Sequence, residues 1–328
     1  VIVTLTANPS LDRTVALPGA LVRGEVQRAI SVRQEAGGKG VNVSRALVAS
    51  GLKTVAVLPG AEADPVLAGL RDSDVPFAAL PIGEPLRSNV ALTEPGGVTT
   101  KINEPGPVLS ADQQEALIGL LLDRARGASW VVLAGSLPPG VPADFYATVT
   151  RRLRTMDHGT EAPLIAVDSS GEPLAAAISG DALGKPDLIK PNAEELVELA
   201  AAAGFATHKS AEEIEADPEA AAVAASAVVR SGVGAVLATL GSKGAVLVTA
   251  DGAWLATHPP VTAVSTVGAG DSSLAGYLLA SSRGAAPADC LRQAVAHGAA
   301  AASLPGSTVP AVHQTTPDAV TITALKKD

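Results

Sequence analysis

Trp130-Val131-Val132-Leu133-Ala134 is five apolar residues in unbroken succession, flanked by helix-like stretches at 111–126 and 143–156. A strand with one wet face alternates apolar and polar residues; a strand covered on both faces does not. The run therefore predicts a buried strand in a parallel sheet with helices above and below. Similar runs stand at Ile2–Thr6, 54–58, Leu164–Asp168, 188–190 and Ala235–Thr239, separated by helix-like stretches at 41–50, 193–203 and Pro218–Arg230. Ser110 is placed to cap the helix from 111, and Gly232 to stop the one ending at Arg230. This alternation predicts a doubly wound α/β sheet with right-handed crossovers, in one unit spanning 1–328.

Two regions break the rhythm. Residues 13–17 with 26–33, and 88–93 with 98–102, read as short strands joined by turns. Pro95-Gly96-Gly97 supplies a hairpin turn for the second pair. We read them as a small sheet inserted at about 12–34 and 87–103, covering a cleft at the carboxyl ends of the core strands, where open α/β folds bind ligands. A solvent-facing ornament is the plainer alternative.

Composition excludes several classes. With 24 basic against 33 acidic residues the net charge is −9, and no basic block exists, which argues against general nucleic-acid binding. The single cysteine, Cys290, excludes a disulfide framework within the chain, and its helical setting (288–303) suits a small buried hydrophobe. The five histidines form no H-x-x-x-H pair. The first six residues lack a signal peptide's basic region, and the apolar run 220–229 is too short to span a bilayer. A soluble, cytoplasmic protein is expected.

Thr266-Val267-Gly268-Ala269-Gly270-Asp271 follows a strand-like stretch, 261–265, and opens the apolar helical run 272–280. Gly268, Ala269 and Gly270 carry almost no side chain, so their N–H groups can converge at a helix N-terminus and hold negative charge. Such an anion hole suits a phosphoryl group in transfer. Asp271 adds a carboxylate able to take a proton from an attacking hydroxyl. An acidic residue favoured there by the helix dipole alone is the plainer reading. Glu35-Ala36-Gly37-Gly38-Lys39-Gly40-Val41-Asn42-Val43 is a second glycine loop opening a helix, and it is not a P-loop. Gly37 and Gly38 allow close backbone approach, Asn42 can pair with sugar hydroxyls, and Lys39 can hold a phosphate already on the sugar.

Asp12, after the Asn8-Pro9-Ser10 turn, can bind sugar hydroxyls or serve only an Asx turn. Arg87 and Lys101, at and on the hairpin, can reach an anionic group from above, or be ordinary solvated charges. The loop 133–140 reads as mainly structural, with Ser136 at the edge of the acceptor site. Asn192 and Glu195, three apart at a helix start, can order water around Mg²⁺; they also spell a capping box. Thr239, Gly241 and Gly244 form a glycine turn over which a nucleotide can lie.

Together these motifs resemble the PfkB branch of the ribokinase-like carbohydrate kinases, in family order and over nearly the whole chain. The 35–45 stretch looks like the family's first signature and 265–276 its second. The resemblance implies an αβα sandwich with a mostly parallel sheet and a β-sheet lid that often mediates dimerisation. It implies ATP and Mg²⁺ as cofactors, Asp271 as base, and the Gly268–Asp271 backbone as anion hole. Asp12, Gly38 and Asn42 become sugar contacts; Lys190, Asn192, Glu195, Thr239, Gly241 and Gly244 lie on the nucleotide and metal side. Within the branch, 4–12, 37–40, 101–107 and 265–272 look most like phosphosugar kinases, especially bacterial 1-phosphofructokinases. Tagatose-6-phosphate kinases and minor 6-phosphofructokinases share much of this. The expected reaction is phosphorylation of fructose 1-phosphate, with Lys39, Arg87 and Lys101 on its phosphate. The other readings are those two kinases and, from a different class, a non-catalytic sugar-phosphate sensor.

Overall fold

The structure is a computed structural model that describes residues 1–159 and 162–326. In chain order the strands are β1 (Ile2–Thr6), β2 (Ser10–Ala16), β3 (Ser31–Gly37), β4 (Thr54–Pro59), β5 (Phe77–Leu80), β6 (Arg87–Thr93), β7 (Thr99–Asn103), β8 (Trp130–Ala134), β9 (Leu164–Asp168), β10 (Leu188–Ile189), β11 (Ala235–Thr239), β12 (Ala245–Thr249), β13 (Ala253–Thr257) and β14 (Thr321–Leu325). The helices are α1 (Lys39–Ala49), α2 (Pro65–Asp72), α3 (Ala111–Ala125), α4 (Phe145–Thr155), α5 (Gly171–Ser179), α6 (Ala193–Ala202), α7 (Ala211–Ala216), α8 (Pro218–Arg230), α9 (Ala269–Ser281) and α10 (Pro287–Ala302).

Ten strands form the main sheet in the order β14-β13-β12-β11-β10-β9-β8-β1-β4-β5. It is parallel from β5 to β11 and antiparallel from β11 to β14. Successive residues of one strand feed opposite layers. Val131 and Leu133 pack with α3 to α6 and α8, whereas Trp130, Val132 and Ala134 pack with α1, α9 and α10. That two-sided burial is why the core strands read as unbroken apolar runs. Cys290 is buried in the second layer, and burial pushes its thiol up to about 11. Among the described residues no helix is long and apolar enough to cross a membrane.

Three boundaries differ from the sequence reading, the first being β2, read at 13–17 but running over Ser10–Ala16 and so carrying Asp12. Residues 261–265 are not a strand: Val261 and Val264 are exposed, and α9 is entered from a loop. The stretch has a strand's β-branched composition, yet it joins neither sheet: the Val264 and Ser265 amides both donate to Ala302 O, at 2.8 and 3.2 Å. The strand expected at 26–33 lies further on, at Ser31–Gly37, where it pairs with β2 from Ser10↔Gly37 to Ala16↔Ser31. Its polar residues Arg33, Gln34 and Glu35 hid it from a reading based on apolar content. Gly37 therefore ends a strand instead of opening the loop.

The second sheet, ordered β3-β2-β6-β7, is the lid. It leaves the carboxyl end of β1 after only three residues and returns to α1 at Gly38. Gly40 seals that junction, since a Cβ there would lie 2.5 Å from Thr6 Oγ1. The β6–β7 hairpin turns through Gly96 and Gly97, both at φ 88. Strand alternation gives the lid two unlike faces. One carries Asp12, Thr14, Asn89, Ala91, Lys101 and Asn103; the other carries Val15, Val32, Val90, Leu92 and Ile102.

Gly244, between β11 and β12, sits at φ 99, and a Cβ would overlap the Ala256 carbonyl oxygen at 1.9 Å. Gly244→Ala is expected to destabilise the fold by about 3 kcal/mol, from positive-φ strain and displacement of β13. Urea unfolding checks this; a loss below about 1 kcal/mol would show that the turn yields easily.

Candidate active site

Helix α9 begins with no side-chain cap. Its N-cap, Gly268, adopts φ 75, ψ 0, a left-handed conformation that suits glycine. The amides of Ala269, Gly270 and Asp271 occupy the first turn, where a helix supplies no carbonyl partner of its own, although Ala269 N–H reaches Thr266 O in the preceding loop at 3.3 Å. This end points at the lid side of the sheet, and the helix dipole adds positive potential there.

Asp271 stands in that first turn, 8% exposed, and its Oδ2 accepts from Asn42 Nδ2 at 2.9 Å. Burial, then the nearby Asp168 charge, push its carboxyl up to about 6 against the opposing pull of Asn42, Lys190 and Lys39. A carboxylate poised there is ionised at neutral pH yet basic enough to accept a proton.

Asp168, the last residue of β9, was not foreseen as a site residue. It is fully buried, with Lys39 Nζ 2.7 Å from Oδ1 and Lys190 Nζ 3.1 Å from Oδ2. Burial opposes its charge, but the two ammoniums prevail and hold its carboxyl below the usual range. Lys190 also reaches α9: a Cβ on Gly270 would lie 3.1 Å from its Nζ. Lys39 was expected on the acceptor's phosphate; in the structure its ammonium pairs with Asp168. Burial works against its charge, yet Asp168, Glu195 and Asp271 raise its pKa above the usual lysine range. The available signal for Asp168 was an ionisable residue ending a buried strand; its two partners lie 129 and 22 positions away.

On the acceptor side, Asp12 Oδ1 accepts from Ser10 Oγ at 2.7 Å and Asn89 Nδ2 at 3.1 Å, and burial raises its carboxyl pKa. Gly37 must lack a side chain because a Cβ would collide with the Asp12 carboxyl, at 2.1 Å from Oδ2. Asp12, Asn89, Lys101, Asn103, Val267 and Ser307 line a cleft of about 190 Å³ between the lid and the loops beside α9. Arg87 is half-buried and tied to backbone, donating to Asn8 O at 3.2 Å and Glu104 O at 3.1 Å; burial lowers its pKa. Ser136 is exposed and takes a 3.3 Å bond from Asn8 Nδ2.

On the opposite side, Asn192 and Glu195 form the capping box of α6: Glu195 N donates to Asn192 Oδ1 at 2.8 Å, and Asn192 N to Glu195 Oε2 at 2.9 Å. Thr239 bridges to Asn192, its N–H on Pro191 O at 2.9 Å. Gly241 has φ 52, with space for a Cβ taken by Glu215. Gly244 answers first to the sheet, as above. No group of three or more His, Cys, Asp or Glu among the described residues could hold a bare metal ion. A hydrated magnesium ion fits better: the capping box leaves one Glu195 oxygen uncommitted, and the donors are hard oxygens.

The sequence pattern described as "pfkB family carbohydrate kinase" matches residues 6–314. The chain is 34% identical over 310 residues to the ATP-dependent 6-phosphofructokinase isozyme 2 of Mycobacterium tuberculosis (strain ATCC 25618 / H37Rv), covering 93% of this chain and 85% of that protein. To the 1-phosphofructokinase of Rhodobacter capsulatus it is 33% identical over 299 residues, covering 90% and 88%. Among solved structures, phosphofructokinase-2 from Escherichia coli in complex with substrates and products superposes with TM-score 0.82 at 31% identity, covering 95% of this chain and 96% of that one. Its tetrameric inhibited form gives TM-score 0.80 at 31% identity, covering 93% and 95%.

Proposed function

Since the chain belongs to the pfkB family of carbohydrate kinases and has the ribokinase-like fold, we propose that it transfers the γ-phosphoryl group of ATP to the C6 hydroxyl of fructose 1-phosphate. The products are fructose 1,6-bisphosphate and ADP. The observation that carries the kinase chemistry is the buried, hydrogen-bonded Asp271 in the open first turn of α9, beside the cleft under the lid. The choice of fructose 1-phosphate rests on the stretches at 4–12, 37–40, 101–107 and 265–272, and on the Rhodobacter capsulatus relative.

The hydroxyl oxygen attacks the γ-phosphorus while its proton passes to Asp271 Oδ; the bond from that phosphorus to the β-phosphate oxygen breaks, and ADP leaves. The first-turn amides of α9 receive charge on the transferred group, with Lys190 beside them. Asp12, Asn89 and Asn42 orient the sugar hydroxyls. Lys101, exposed on the cleft face of the lid, meets the existing phosphate, and Arg87 lends charge from behind. Lys39 serves both sides by balancing Asp168. A magnesium ion, held through water by Glu195 and Asn192, would neutralise charge on the nucleotide's phosphates. The lid must cover the cleft so that water does not compete as acceptor.

The 6-phosphofructokinase and tagatose-6-phosphate kinase readings put the acceptor's phosphate on C6 and the attacking hydroxyl on C1, tagatose differing from fructose at C4 as well, and the Mycobacterium tuberculosis relative favours the former. The lid's apolar face supports a homodimer: Val32 on β3 and Ile102 on β7 are 51% and 56% exposed, large apolar side chains that a second lid would cover. A coupled ADP-release assay with fructose 1-phosphate, fructose 6-phosphate and tagatose 6-phosphate tests the assignment. Fructose 1-phosphate is expected to give the highest kcat/KM. A preference for either 6-phosphate overturns the acceptor assignment and leaves the kinase standing; no turnover with any of them favours the sensor.

A further inference from the structure

The Asn42 carboxamide that faces Asp271 is itself held from behind. Arg45, one turn further along α1 and 11% exposed in its side chain, directs Nη1 to Asn42 Oδ1 at 3.4 Å. The same nitrogen reaches Ala36 O at 3.4 Å and Ser307 O at 3.3 Å, and Nη2 pairs with Glu35 Oε1 at 3.3 Å. Glu35 closes the ring: its Oε2 accepts from Ser307 N at 3.4 Å and Ser307 Oγ at 2.6 Å. One guanidinium thus joins the end of a lid strand, the start of α1 and the loop after α10. Ser307 also lines the acceptor cleft.

A guanidinium only donates, whereas a carboxamide has one accepting and one donating end. With Arg45 behind it, Asn42 must present its oxygen to Arg45 and its NH₂ to Asp271. Turning the amide would set donor against donor at Arg45 and oxygen against carboxylate at Asp271. We propose that Arg45 is a positioning residue for phosphoryl transfer, locking Asn42 in the orientation that donates to Asp271 and keeps the base ionised. This rests on the reading of Asp271 as the base. Without Arg45 the amide is free to turn and accept from a protonated Asp271, which favours the inactive form. The other charged groups facing Asp271 are Asp168 on β9, Lys190 after β10 and Lys39 on α1; Glu35 on β3 and Asp12 on β2 face Arg45. None of these is removed by changing Arg45.

The test is the pH dependence of kcat for Arg45→Met, Arg45→Lys, Asn42→Ala and the Asn42→Ala/Arg45→Met double variant. Arg45→Met is expected to move the acid limb up by about one pH unit, a loss of about tenfold at pH 5.5 that disappears above pH 8. KM for ATP should stay within about twofold, and Arg45→Lys, which still donates, should fall between. In the Asn42→Ala background Arg45→Met should move the limb no further, because the group it acts through is gone. An unmoved limb in Arg45→Met, or its full shift repeated on top of Asn42→Ala, overturns the proposal. If thermal melting shows Arg45→Met unfolded, Glu35→Gln takes its place, with a smaller upward shift expected and none overturning it. Asp271→Asn separates the two ideas: an active Asp271→Asn enzyme defeats the base reading, whereas an inactive one with an unmoved Arg45→Met limb defeats only the role of Arg45.

Discussion

Asp271→Asn is expected to lower kcat by about 10²–10⁴-fold while leaving acceptor binding within a few-fold of the parent. The amide has the shape of the carboxylate and can still accept from Asn42, so the site's geometry survives; only the capacity to take a proton is lost. The parent enzyme's own pH profile carries the same signature. Because burial and Asp168 push the Asp271 carboxyl up to about 6, kcat should rise about tenfold per unit as pH climbs toward 6 and level off above it. The stability consequence has the opposite sign. A carboxyl whose pKa is raised on folding binds its proton more tightly in the native state, so its stabilisation is complete below the unfolded value near 3.8 and fades as pH rises through about 6. Asp271→Asn, which never ionises, should therefore melt at or above the parent temperature at pH 7, by an increment on the order of 1–3 kcal/mol. An inactive variant that also melts well below the parent points to a damaged fold in place of a missing base. A variant with near-parental kcat defeats the mechanism.

The core of the fold was legible because burial on both faces writes itself into composition. β1, β8, β9 and β11 run over the stretches read as strands, and α8 over Pro218–Arg230. Elements whose identity depends on partners were harder to read. β12, β13 and β14 form an antiparallel extension at the sheet's edge, and β3 is a charged strand held by seven paired positions with β2. Conversely, 261–265 has a strand's composition but pairs with no strand, its Val264 and Ser265 amides turning to Ala302 O instead. The site divides in the same way. Asp271 and Asn42 belong to recognisable glycine-rich stretches, and the structure brings them to 2.9 Å. Asp168 belongs to no such stretch, since its importance is electrostatic and its partners come from α1 and the end of β10. For the same reason the Lys39 ammonium could be placed near the site from sequence, but not on the anion it neutralises.

Asp168→Ala should be the most destabilising single change around the site, by about 3–5 kcal/mol, as expected when a buried ion pair loses one partner. Lys190 is 6% exposed in its side chain and Lys39 33%, and both ammoniums lean on one carboxylate that is fully buried. The pH dependence follows from the lowered Asp168 pKa: the stabilisation is present above the unfolded value near 3.8 and is lost as pH falls through the folded one. Parent and variant should accordingly differ most in urea unfolding near neutrality and converge in strong acid. Asp168→Asn keeps the shape and separates stability from catalysis. It removes the charge that raises the Asp271 pKa and leaves Lys39 and Lys190 free to lower it, so the acid limb of kcat should move below 6. That direction is opposite to the shift expected for Arg45→Met. The base is thus held between opposing influences: burial and Asp168 make it basic enough to accept a proton, and the Arg45–Asn42 pair keeps it ionised. An acid limb that stays put or rises in Asp168→Asn would show that this carboxylate balances the lysines without tuning Asp271.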